Sequence, residues 1–268
     1  MTDRVTRYGL RFVALAYLAL LLVIPVGVVF YRTFQDGVGA VWESVTTPAA
    51  ISAFWLTVEV TAIAVPLNAI FGMAAALVLV RGRVPGKRLL NALIDLPFAV
   101  SPVVIGLGLV LLFGRTGWLG PWLTENGIRV IFSFPGIVLA TIFVSLPFVA
   151  REVAPVLREV GDEQEQAAAT LGASNWQTFW RITLPAVRWG LAYGVVLSVA
   201  RAIGEFGAVS VVSGKVAGET QTLTLLVEER FQNFDLAGAY AASALMALIA
   251  LLTLLAMTVL GSRNEKSR

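Results

Sequence analysis

Six stretches of this 268-residue chain are each apolar over a length that crosses a lipid bilayer, and no other feature constrains the fold as much. A spanning helix needs about 20 mostly apolar residues. The runs fall at about Leu10–Tyr31, Phe54–Val80, Leu90–Phe113, Val130–Ala150, Ala186–Val212 and Ala237–Leu260. In hydrocarbon only a helix or a closed barrel satisfies its own backbone groups, and runs of this length are helical whatever Val and Ile prefer elsewhere. The expected fold class is therefore all-α, a polytopic membrane protein with six transmembrane helices and one domain over residues 1–268. Composition agrees: 57% of residues are hydrophobic and 14% charged, against roughly 25% charged in soluble domains. The first run, about 22 residues long, exceeds the apolar core of about 7–15 in a secretory signal, and no A-x-A pattern follows Pro25-Val26-Gly27, so it reads as a retained span.

Several kinds of chemistry are excluded. The chain has no Cys and no His, which removes disulfides, thiolate or imidazole metal sites and Ser-His-Asp triads. A net charge of +3 is spread over loop ends and forms no compact face for nucleic acid. No Walker A pattern occurs, since both Gly86-Lys87-Arg88 and Gly214-Lys215-Val216 fail it, so the chain does not hydrolyse ATP alone. Basic residues instead report topology. Arg4, Arg7, Arg11, Arg81, Arg83, Lys87, Arg88, Arg151, Arg158, Arg181, Arg188, Arg263, Lys266 and Arg268 lie on one side, and only Arg32, Arg115, Arg129, Lys215 and Arg230 on the other. The positive-inside rule puts both termini in the cytoplasm.

On that same side lies a polar island, about residues 151–185, with its centre in Gln166-Ala167-Ala168-Ala169-Thr170-Leu171-Gly172 and its end in Ile182-Thr183-Leu184-Pro185. Asp162 is placed to cap a helix running to about Leu171, with Glu163 and Glu165 in its first turn, and Gly172 to end it in the left-handed conformation. Ser174 and Gln177 form a capping-box pattern for a second segment, Asn175–Leu184, which Pro185 should close. Small alanines would sit inside the bend, with Trp176, Phe179 and Trp180 on the second helix. Two readings follow: a corner shaped for a groove on a partner protein, or an interfacial helix with aromatics among lipid headgroups.

The spacing Gln166-Ala167-Ala168-x3-Gly172-x9-Ile182-x-Leu184-Pro185 resembles the E-A-A-x3-G-x9-I-x-L-P signature of permease subunits of bacterial ABC importers, with Gln166 in place of the usual Glu. That resemblance implies a coupling helix that docks into an ATPase subunit through Gln166, Ala167, Ala168, Gly172, Ile182, Leu184 and Pro185. It also puts in doubt any ion pair made by the missing Glu, for which Glu165 is a neighbouring substitute. Further runs, Leu96–Val104, Pro147–Glu152, Leu171–Ser174 and above all Ala200-Arg201-Ala202-Ile203-Gly204-Glu205-Phe206-Gly207 with its continuation to Gly214 and the run Gly218–Leu223, resemble the sulfate/thiosulfate permeases of the CysW type. The implied activity is import of sulfate or thiosulfate across the bacterial cytoplasmic (inner) membrane. The implied partners are a second, CysT-like permease, two ATP-binding subunits and an extracytoplasmic sulfate/thiosulfate-binding protein. No cofactor is implied on this chain, ATP and Mg2+ belonging to the ATPase. Molybdate and tungstate permeases share the Arg-Ala-x-Gly-Glu-Phe-Gly run and stay open as an alternative. An ion-coupled secondary anion transporter would need paired membrane acids and inverted repeats that the chain lacks, and a membrane enzyme a cluster of catalytic groups.

Charges at membrane depth cost about 2.5–3.5 kcal/mol each and need a reason. Arg201 and Glu205, four apart, share a face with Gly194, Ser198 and Ala208 if the helix runs on. Ser198, Arg201 and Glu205 then either line a translocation path, with Arg201 meeting the anion transiently, or Arg201 and Glu205 neutralise one another and fix packing. Glu59 has no obvious partner, Arg201 being one possibility, and Asp95 is placed at a helix end. The acidic segment Val216–Asp235 reads as a binding-protein contact or a solvated loop.

Overall fold

A computed structural model describes residues 2–82 and 84–266; the side chains of residues 2–7, 254, 256, 257 and 259–266 are outside the description, as are Arg83 and Arg268. The topology count therefore rests in part on residues beyond it, namely Arg83 and Arg268 and the side chains of Arg4, Arg7, Arg263 and Lys266.

The described residues form helices and no strand. In chain order they are α1 (Tyr8–Phe34), α2 (Val38–Val45), α3 (Pro48–Val80), α4 (Lys87–Ala99), α5 (Pro102–Phe113), α6 (Gly120–Glu125), α7 (Phe134–Val160), α8 (Glu163–Thr170), α9 (Asn175–Ile203), α10 (Gly207–Val212), α11 (Leu223–Gln232) and α12 (Leu236–Lys266). Among the described residues five helices are long and apolar enough to cross a membrane, and six if the bent pair α4 and α5 counts as one broken span.

Two expected spans are not straight. The third breaks at Val100–Ser101, where α4 and α5 meet at 112°. Pro102 opens α5 and disfavours helical geometry in the residue before it, so the backbone of Ser101 is extended. The fifth was expected over Ala186–Val212. It starts earlier, at Asn175, ends at Ile203, and turns at Gly204 into α10, which packs back against α5 and α7. Likewise α7 covers Phe134–Val160 where Val130–Ala150 was expected, because loop residues Val130 and Ile131 are themselves buried.

The bundle is centred on α7, which lies against α3 on one side and α9 on the other. At Gly72 the α3–α7 approach is so close that a Cβ would stand 2.6 Å from the Cβ of Val149; small residues permit such contacts between membrane helices. Asn68, fully buried on α3, pins the same interface by donating to Ser145 Oγ at 2.8 Å and to the Ile142 carbonyl at 3.2 Å. Two apolar clusters result. One joins Met73 and Ala76 of α3, Val149, Val153 and Leu157 of α7, and Val187 of α9. The other lies at the opposite end of α7 and joins Val60, Ile105, Ile137, Val209, Val212 and Leu225. By contrast α1 contributes no buried residue to the bundle in its apolar window and meets α12 near Thr33, whose hydroxyl donates to the Tyr240 carbonyl at 3.0 Å.

Candidate coupling loop and intramembrane polar site

The island folds into a sharp helical corner. α8 ends at Thr170, and Gly172 takes φ +83°, a conformation that favours glycine. Ser174 then caps α9: its Oγ accepts from the Gln177 amide at 3.3 Å, and the Gln177 side chain accepts from the Ser174 amide at 3.0 Å, so both halves of the capping box are present. Asp162 departs from expectation. Its carbonyl receives the Gln166 amide at 2.9 Å, but its side chain caps nothing, because at φ −118°, ψ 6° the residue is not in the extended geometry of a side-chain cap.

Pro185 also behaves differently. The helix does not close there but runs through it into the membrane. Just before the proline lies a π turn, Phe179–Thr183, in which the Leu184 amide reaches the Phe179 carbonyl five residues back. Such a wide turn admits a residue with no N–H to give. One rigid helix therefore joins the corner to the span.

At the corner Leu171 is 88% exposed and Trp176 69%. Trp176 stacks on Phe179 at 6.3 Å and meets Trp180 edge-on at 5.4 Å. Gln166, Ala167, Ala169 and Gly172 are exposed, so the alanines are not all inside the bend; Ala168 is half-buried. Ile182 and Leu184 lie lower, Leu184 against the Val187 cluster, and do not share the exposed surface. Leu171, Trp176 and Trp180 thus leave large apolar side chains exposed at the corner.

Beneath the corner lies a clamp that the sequence reading did not find. Arg81, just past the end of α3, donates from Nε to Glu165 Oε2 at 3.0 Å and from its other arm to the Gly161 carbonyl. The other oxygen of Glu165 accepts from Thr183 Oγ1 at 2.8 Å. Glu165 thus ties the end of α3, the start of α8 and the π turn together, while Gln166 next to it faces outward. The available signal was Glu165 beside a motif that lacks its own Glu; Arg81 is 84 residues away and nothing in sequence connects them.

The second polar site is the break after α9. Glu205 lies beyond the helix end, so the expected stripe from Gly194 to Ala208 is not one helix face. The residues still meet: Arg201 pairs with Glu205 Oε2 at 2.6 Å, and Glu205 Oε1 accepts from the Ala208 amide at 2.8 Å, capping α10. Glu205 is 2% exposed and Arg201 half-buried. Ser198 is fully buried with no hydrogen-bond partner for its hydroxyl among the described residues. Thr224 donates to the Glu205 carbonyl at 2.8 Å, and Thr57 accepts from the Leu223 amide at 2.9 Å, closing the break from outside. Glu59 does not pair with Arg201; it lies on the exposed face of α3 with Trp55 and Ile63. Asp95, four residues before the end of α4, receives Arg151 Nε at 2.6 Å. The acidic segment Val216–Asp235 is not a solvated loop: it contains α11 and a buried Thr220-Gln221-Thr222 run, and Glu228 pairs with Lys215 at 2.9 Å.

The chain is thus a helical membrane bundle with an exposed, clamped corner at one end. A chain of a bacterial alginate ABC transporter, solved with a periplasmic protein bound to an alginate pentasaccharide, superposes with TM-score 0.80 over 98% of this chain and 96% of its own, at 17% identity, which speaks for the fold. Residues 68–266 match the family of binding-protein-dependent transport system inner membrane components, and the chain belongs to that family. The sulfate transport system permease protein CysW of Synechocystis sp. is 52% identical over 240 residues, 90% of this chain and 87% of its own. The corresponding CysT protein of Escherichia coli is 39% identical over 250 residues, 93% and 90% of the two chains. The chain is accordingly a CysW-type permease, a non-catalytic multi-pass subunit of an ABC system that includes a permease partner.

Proposed function

We propose that this chain, as one permease domain over residues 1–268, carries sulfate or thiosulfate into the cytoplasm. It works beside a CysT-like permease, two ATP-binding subunits that hold ATP and Mg2+, and an extracytoplasmic sulfate/thiosulfate-binding protein. The observation that carries the reading is the clamped corner, exposed at one end of a chain half identical to sulfate permeases. Gln166, Ala167, Ala168 and Gly172 shape the surface that meets the ATPase. Ile182, Leu184 and Pro185 lie within α9 between the corner and the span, so a push at the corner is delivered along one continuous helix. Both termini and the corner face the cytoplasm.

Ser198, Arg201 and Glu205 border the path. The Arg201–Glu205 pair leaves the guanidinium only partly free, which suits passage of a dianion better than its retention. High affinity then resides in the binding protein.

Radiolabelled sulfate uptake in cells lacking the chain tests this. Wild type should restore uptake, and a normally inserted Gly172→Pro variant should not, because proline cannot take φ +83°. Restoration of molybdate uptake without sulfate uptake would refute the substrate assignment and leave the architecture standing.

A further inference from the structure

At the end of α7 opposite the coupling corner, five basic residues were assigned to the outer side, and the structure separates them into two groups. Three are engaged. Arg32 donates to the Gln35 side chain at 3.0 Å, Lys215 pairs with Glu228 at 2.9 Å, and Arg230 bonds Thr47 Oγ1 at 2.8 Å and the Ser44 carbonyl at 3.0 Å. The remaining two, Arg115 and Arg129, make no ion pair or side-chain hydrogen bond among the described residues, and both line one cavity of 590 Å³. Its other polar side chains are Thr116 and Thr124, apolar residues including Phe113 and Leu123 also line it, and no carboxylate is among its lining residues.

Guanidinium groups in a concave site free of acids attract and orient oxyanions, through bidentate hydrogen bonds and through a field focused by the low-dielectric wall. A water's share of liquid volume is about 30 Å³, so the cavity admits a tetrahedral oxyanion with part of its hydration shell. One residue of the cavity wall also touches the element that Glu205 caps. Phe132 donates its amide to the Val212 carbonyl, at 2.8 Å, at the end of that short helix.

We infer that Arg115 and Arg129 form an outer vestibule that receives a doubly charged tetrahedral oxyanion before it reaches Arg201. This rests on the proposed import of such an anion. Because both arginines are exposed, the site is a transient one, with fast exchange.

The test uses the complete transporter in phosphatidylcholine nanodiscs, without binding protein. Modification of individual arginines by cyclohexanedione is followed by mass spectrometry in sodium sulfate and in sodium chloride of equal ionic strength. Sulfate should slow modification of Arg115 and Arg129 at least threefold and leave Arg32 unchanged. Equal rates in both salts would overturn the proposal. So would protection without sulfate that vanishes in lipid-free detergent, which would make the occupant a lipid phosphate. In proteoliposomes the double variant Arg115→Gln/Arg129→Gln should take up sulfate about tenfold more slowly, with the binding-protein concentration for half-maximal ATPase stimulation unchanged within twofold. A rise in that concentration would assign the arginines to docking of the binding protein and overturn the anion site. Should the wild-type transporter move molybdate and not sulfate, the substrate assignment fails, while protection by sulfate in the nanodisc assay still decides the vestibule.

Discussion

Two arginine–glutamate pairs organise this protein, and they differ in what they join. Arg201 and Glu205 are close in sequence, sit at the break after α9 and hold it shut; the carboxylate is almost inaccessible and also caps α10. Arg81 and Glu165 are 84 residues apart, lie at the helix ends, and bind a loop to the bundle with each side chain about one-fifth exposed. A carboxylate sealed inside the bundle has no water to replace a lost partner, whereas a partly exposed one does. Removing half of the first should therefore damage the fold, and removing half of the second should damage the transmission of movement.

The largest effect is expected from Glu205→Ala. It leaves Arg201 without its counter-ion and the Ala208 amide without its acceptor, and breaking a buried pair from one side costs about 3–5 kcal/mol. The detergent-solubilised variant should melt well below wild type and accumulate poorly in membranes. A variant that melts like wild type but does not transport would show that the pair serves the path and not the stability of the fold.

Arg81→Gln comes next. The hydrogen bonds it makes to a charged group are worth about 1.5–3 kcal/mol, reduced here by partial exposure. Insertion and ATP hydrolysis in the assembled transporter should persist while uptake per ATP falls several-fold. Glu165→Gln should behave alike, and the double variant should be no worse than either single one, since the pair acts as a unit. Equal loss of ATPase and uptake would mean that the clamp holds the subunits together.

The smallest effect belongs to Ser174→Ala. Removing the cap costs about 1 kcal/mol, which frays the start of α9 without touching the clamp. A twofold fall in uptake is expected, measured in the same proteoliposomes. A loss as large as that of Arg81→Gln would show that the corner depends on local helix capping more than on its tie to α3.

Much of the coupling corner was legible because its determinants are local. The left-handed Gly172 and the Ser174–Gln177 box are each fixed within four residues, and a turn or cap depends on little else. The helix break at Ser101 carries a local mark, Pro102, but the one at Gly204 was not legible in the same way. Hydropathy records that a run prefers lipid but not its direction, and α10 is as apolar as the span it was taken to extend. Pro185 misled for a related reason: a proline stops an ideal α-helix, but a π turn before it changes which amide is required.

By itself the sequence determined that the chain is helical, that it crosses the membrane several times, where the corner lies and which family it belongs to, because composition, short capping patterns and spacing are properties of neighbouring residues. Only the tertiary structure decided that Arg81 is the partner of Glu165, that Glu205 lies outside the helix of Arg201 yet still meets it, and that Arg115 and Arg129 face one cavity. Each of these depends on which distant segments the packing around α7 brings within about 3–4 Å of hydrogen-bonding or ionic reach, and no local pattern encodes that distance.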